Sequence, residues 1–205
     1  SKEIALTTNG SLLSGQARKL AAAGLDRVTV SLDCLDDSIF RAMNDVDFSV
    51  AEVLGGIEAA VDAGLGPIKL NTVIRRGIND DGVMDLVEYA REHNHTLRFI
   101  EFMDVGHTNS WDLSEVVPAA EIMGRIAAQF PIEAVNPAYR GEVAHRYRYL
   151  DGAGCFGVVA SVTRSFCDTC DRIRLTADGQ FRNCLFALEE YDLRSLLRSG
   201  ASDDD

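Results

Sequence analysis

Residues 68–103 read IKLNTVIRRGINDDGVMDLVEYAREHNHTLRFIEFM. In the first seven, Ile68, Leu70 and Ile74 oppose Lys69, Asn71 and Val73, an alternation that predicts a strand. Val83, Leu86, Val87 and Ala90 then recur at helical spacing, and Thr96 to Met103 returns to strand character. Strand, helix and strand in succession predict parallel pairing through a crossover. The same rhythm extends toward the N terminus. Ile4 to Thr8 reads as a strand, Leu12 to Ala23 as a helix ended by Gly24, and Arg27 to Ser31 as a strand. Val50, Val53, Leu54, Ile57 and Val61 mark a helix that Gly64 stops. Four strand–helix steps cannot close an eight-strand barrel. The sheet is therefore expected to be open, or the chain to be part of a longer one.

The rhythm changes after Gly106, and a boundary is expected near residues 106–115. A helix near Pro118 to Gln129 precedes strands at Tyr147 to Leu150 and Val158 to Val162. Asp171 to Thr176 and Gln180 to Cys184 flank the turn Ala177-Asp178-Gly179 and read as a hairpin. Ser199 to Asp205 reads as a frayed polar end.

With 46% hydrophobic and 25% charged residues among 205, the chain has the make-up of a globular protein rather than a disordered or fibrous one. No apolar run approaches the roughly 18 residues of a membrane span, and the first residues do not resemble a signal peptide. A cytoplasmic location is the expectation. A net charge of −12 argues against general nucleic-acid or membrane binding. The stretch Arg140 to Cys184 departs from this average, with seven arginines against five acidic residues. It also holds four of the five cysteines, so a cationic site beside thiols is expected to take a small anionic ligand.

An odd number of cysteines without a secretory signal favours metal or free thiol over disulfides. Cys167, Cys170 and Cys184 form C-x2-C-x13-C, a spacing that suits zinc or an iron–sulfur cluster. None of His93, His95, His107 and His145 stands at the usual spacing for a fourth zinc ligand. Cys34 and Cys155 fit no ligand pattern and are expected to be small buried apolar residues. Arg172 and Arg174 would share one face of a strand, two guanidinium forks suited to a polyphosphate. Thr7, Asn9, Ser31, Asp33, Lys69 and Asn71 fall on the polar faces of the parallel strands, near the ends where α/β proteins place ligands. Short polar residues there also cap helices. Lys69, between Ile68 and Leu70, needs a partner or a ligand.

The stretches LTTNG, VTVSLD, IKLNTVI, LRFIEFMDVG, SFCDTCDRIRLTADGQFRNCLF and DLRSLL resemble, in order, the GTP 3′,8-cyclase family of radical S-adenosylmethionine enzymes. These enzymes act in molybdenum cofactor biosynthesis. The resemblance implies an α/β fold: part of an incomplete (β/α)6 TIM-like barrel over residues 1–110, lacking its first two strands. A small α+β region over 111–205 would carry the cysteine site. Cys167, Cys170 and Cys184 would hold a [4Fe–4S] cluster whose free iron binds guanine. Thr7, Lys69, Arg98, Arg172 and Arg174 would bind GTP, and Ser31 and Met103 would contact S-adenosylmethionine. A 5′-deoxyadenosyl radical would remove the ribose 3′ hydrogen before ring closure at C8. Arg98 and Met103 lie on opposite faces of a regular strand, so a bulge or the strand end must intervene.

The C-x3-C-x2-C loop that holds a second [4Fe–4S] cluster in the family does not occur in these 205 residues, nor does the family's Gly-Gly tail. The chain therefore reads as an internal fragment, expected to be inactive alone. GTP, S-adenosylmethionine, an electron donor and a second copy in a homodimer are the expected partners of the whole enzyme. The competing readings are another radical enzyme with an auxiliary cluster, and a non-catalytic zinc module that binds a nucleotide or a protein.

Overall fold

Alternation along the strands sets which side of the sheet is covered. In β2 (Arg27–Ser31), β3 (Lys69–Ile74) and β4 (Thr96–Glu101), every second residue is buried and its neighbours are half-exposed. The computed structural model describes residues 3–104, 111–139, 141–164, 167–187 and 191–200. Together with β1 (Ala5–Thr8), these strands pair in parallel in chain order. Their buried face, with Val28, Val30, Leu70 and Phe99, packs on α1 (Leu13–Ala22), α3 (Val50–Asp62) and α4 (Val83–Glu92) through Leu13, Ile57 and Leu86. Burying each such side chain stabilises the fold by roughly 1.5–3 kcal/mol.

The helix starts are set locally. The Asp36 carboxylate accepts from the backbone N–H groups of Ser38 and Ile39 and starts α2 (Asp37–Asn44). Ser49 and Glu52 form a reciprocal capping box at the start of α3.

The second half extends the same sheet. α5 (Ala119–Gln129) leads to β5 (Ile132–Val135), β6 (His145–Tyr149) and β7 (Cys155–Val159). These three strands form an antiparallel meander, and β7 pairs in parallel with β4. The seven-stranded order is β1-β2-β3-β4-β7-β6-β5. The architecture is thus mixed α/β with a mainly parallel sheet, as the strand–helix rhythm predicts. The expectation of two β strands at 147–150 and 158–162 shifts to 145–149 and 155–159. A separate three-stranded sheet holds β8 (Arg174–Leu175), β9 (Gln180–Arg182) and β10 (Tyr191–Asp192), followed by α6 (Leu193–Arg198). The expected hairpin is therefore present but shorter than its sequence span, because only Arg174 and Leu175 pair with β9. Residues 106–110 of the expected boundary and 201–205 of the expected frayed end lie outside the described residues. Among the described residues no helix is long and apolar enough to cross a membrane.

Candidate functional site

Strand register builds two rows on the half-exposed face of the sheet. Thr7 stands opposite Thr29, Thr29 opposite Lys69, and Lys69 opposite Thr96. Two residues further along, Ser31 stands opposite Asn71, Asn71 opposite Arg98, and Arg98 opposite Gly157. Even spacing places both rows on one face.

The larger of two cavities, about 670 Å³, lies over the second row and beyond it. Asn71 and Arg98 line it from the sheet, and Met103 and Ser161 from the segments following β4 and β7. Cys167, Cys170, Arg172, Arg174 and Cys184 line it from the C-terminal segment. Arg98 and Met103 reach the same cavity because β4 stops at Glu101, so Met103 lies outside the strand's alternation. Glu101 secures that junction. Its buried carboxylate accepts from the backbone N–H groups of Ala119 at 2.7 Å and of Val162 and Thr163 at 2.8 Å, while the Ser161 hydroxyl donates to its carbonyl. One carboxylate thus ties the end of β4 to the start of α5 and to the chain that leads toward Cys167.

The three thiols are exposed. Arg172 Nε donates to Cys170 Sγ at 3.3 Å, and the Phe186 N–H donates to Cys184 Sγ at 3.4 Å. The backbone N–H and the guanidinium of Arg172 hold the Cys170 thiol below its ordinary pKa, which favours the thiolate that binds soft metals. Among the described residues no three His, Cys, Asp or Glu side chains gather closely enough to hold a single metal ion. Two polar atoms lining the cavity, Asn71 Oδ1 and Arg174 Nη1, are buried without a hydrogen-bond partner in the fold.

Thr7 and Ser31 line neither cavity, and Lys69 lines the second one. Asp33 departs from the face assigned to it. It turns into the core, accepts from the Val73 N–H at 2.7 Å, and burial pushes its carboxyl pKa up. Cys34 is buried as expected, but Cys155 is half-exposed because it opens β7 at the edge of the second cavity. The sequence reading passed over Ser161, Leu185 and Phe186 on the wall of the first cavity. Ser161 was within reach of the rule that ligands gather beyond strand ends. The exposed Leu185 and Phe186 carry no comparable signal.

Residues 95–205 match the family Molybdenum Cofactor Synthesis C. The chain belongs to that family. Residues 1–90 match the Radical SAM superfamily, so this family member carries both regions with a short gap between them. It is 55% identical over 197 residues to the GTP 3′,8-cyclase of Acidothermus cellulolyticus, an alignment covering 96% of this chain and 54% of that protein. It is 44% identical over 205 residues to the GTP 3′,8-cyclase of Staphylococcus carnosus, covering all of this chain and 60% of that protein. The protein of the same name from Xanthomonas axonopodis pv. citri is 48% identical over 97% of this chain and 60% of its own. The chain therefore spans 54–60% of the length of these curated relatives. A radical SAM methyltransferase structure from Sphaerobacter thermophilus overlaps 61% of this chain and 36% of its own, at 18% identity and a TM-score of 0.48.

Proposed function

We propose that these residues form the substrate-holding part of a GTP 3′,8-cyclase, within an incomplete (β/α)6 barrel. The observation that carries this reading is the convergence of Cys167, Cys170 and Cys184 with Arg98, Arg172 and Arg174 on one cavity. The three cysteines fit a [4Fe–4S] cluster by their donor chemistry: all line one space, and two of the sulfurs accept hydrogen bonds that favour thiolates. When bound, such a cluster supplies an iron with an open coordination position for a guanine atom.

The side chains of this chain orient the nucleotide. The unmatched Nη1 of Arg174 is a buried donor waiting for an acceptor, and an anionic oxygen meets that need. Arg172 presents a second planar fork two residues away. Asn71, Arg98 and Ser161 bring polar groups to the sheet side of the cavity. Thr7 and Lys69 contribute to GTP from the row nearer the strand starts, and Ser31 and Met103 contact S-adenosylmethionine. The apolar surround of Ile173, Leu185 and Phe186 keeps water from the base.

The test is anaerobic reconstitution followed by iron and sulfide analysis, with GTP and guanosine titrated in parallel. About four irons per chain are expected. Serine at Cys167, Cys170 or Cys184 should lower that number, and serine at Cys34 or Cys155 should not. Arg172→Ala or Arg174→Ala should weaken GTP about 10- to 150-fold at full iron loading, the range spanned by one lost hydrogen bond to a charged group. Guanosine should lose less. Equal loss for both ligands, or iron that ignores the three cysteines, overturns the reading.

A further inference from the structure

A second cavity, about 320 Å³, lies at the opposite ends of the strands. Arg27, Lys69, Thr96 and Cys155, which line it, are the first residues of β2, β3, β4 and β7. Arg146, from the middle of the meander, adds a further cation, and Arg98 borders both cavities. Two carboxylates face these cations. Glu3 pairs with Arg27, and Glu142 lies 4.0 Å from Arg146 while accepting from the Ala138 N–H at 2.6 Å. Neither Lys69 nor Arg98 is ion-paired to a carboxylate among the described residues. The Lys69 ammonium is half-buried, and burial together with Arg98 and Arg27 pulls its pKa down.

Four cations against two carboxylates leave an excess of positive charge in a partly enclosed space, where screening is weaker than in bulk water. A singly charged anion would satisfy one of these groups. A chain of linked phosphates carries several charges at a spacing that several forks can share. We infer that this cavity is a second anion site that takes oligophosphate, with Arg27 and Arg146 as its recognition residues and Glu3 and Glu142 as built-in competitors. Each carboxylate holds an arginine that an incoming phosphate must win. Affinity is thereby kept low enough for release, and Arg98 is the cation shared with the first cavity. The site stands on its own charge and shape. Only the identification of its ligand with the phosphate tail of a nucleotide rests on the proposed function.

The experiment titrates inorganic tripolyphosphate calorimetrically at fixed ionic strength. The full chain and an Arg172→Ala/Arg174→Ala chain are compared, which removes the arginines of the first cavity. Binding should persist in the double variant. Adding Arg27→Gln or Arg146→Gln should weaken it about tenfold each, one lost charge-assisted contact in a part-exposed setting. Glu142→Gln should tighten it severalfold, because its amide oxygen can still accept from Ala138 while the competing charge is gone. Arg146 pairs only distantly with Glu142, so Arg146→Gln tests the site even where Arg27→Gln perturbs the fold. No binding in the double variant, indifference to both arginine substitutions, or weaker binding in Glu142→Gln overturns the inference. These results are independent of whether GTP and guanosine differ at Arg172 and Arg174, so failure here is distinguishable from failure of the cyclase reading.

Discussion

Asp33 shows how one side chain can follow a strand's alternation in sequence and leave it in space. Beyond the end of β2 its carboxylate turns inward and accepts the Val73 N–H. Burial disfavours the charged form and raises its pKa above the ordinary 3.8. The unfolded chain releases this proton near 3.8, while the folded chain holds it to higher pH. Through that window the folded state binds more protons, so this group's contribution to stability falls as pH rises and stays low above it. Asp33→Asn removes the titration and keeps an oxygen for Val73. The variant should match the natural chain below the ordinary carboxylate range and exceed it at neutral pH. Urea unfolding across a pH series measures this. A difference independent of pH would show that desolvation is not the controlling effect.

Helix α3 carries adjacent glycines with opposite demands. A Cβ at Gly55 would meet nothing within 4 Å, whereas one at Gly56 would lie 2.7 Å from the Gly10 carbonyl and 3.1 Å from Leu13 Cβ. Gly55→Ala should therefore stabilise by about 0.5–1 kcal/mol, the usual gain inside a helix. Gly56→Ala should destabilise by about 1–3 kcal/mol, as overpacking does. Shifts of opposite sign in the urea midpoint confirm the pair, and a gain at both positions would mean that α1 and α3 can part freely. The sequence reading found α1, α3 and α4 because their apolar residues recur over ten residues or more. It passed over α2, whose eight residues bury only Phe40 and are started chiefly by the Asp36 cap. It also passed over β5, four residues with no fully buried position. Periodicity reports burial on one face, and elements that bury little leave little to read.

At the scale of the molecule, the site residues were legible as a list but not as an arrangement. Even spacing gave Lys69 and Asn71 the same face, yet placing them in different cavities depends on where neighbouring strands begin and end. The joining of residues 132–159 to the first sheet was hidden for a similar reason. It depends on β4 pairing with β7, a long-range contact that leaves no local pattern. The small sheet holding Arg174 differs in kind, since β8, β9, β10 and α6 contain no buried residue. Few buried contacts imply opening at low free energy. Amide exchange across 174–198 should therefore be orders of magnitude faster than in β2, β3 and β4, and slow once the three cysteines are loaded with iron. Equal protection in both regions would contradict this.

A ribosome delivers these strands in chain order, but the sheet does not fill in that order. β4 is complete at Glu101, and its outer edge waits for a partner until Val159 has emerged. Throughout that interval Arg98, Phe99 and Ile100 present unpaired backbone groups to whatever strand is nearby, including those of neighbouring nascent chains. β5, β6 and β7 can meanwhile pair with one another, since their antiparallel contacts are local. The meander then arrives as a finished unit and caps β4 in one docking event. The hazard of misassembly during synthesis is thus concentrated on one strand edge and on one stretch of translation.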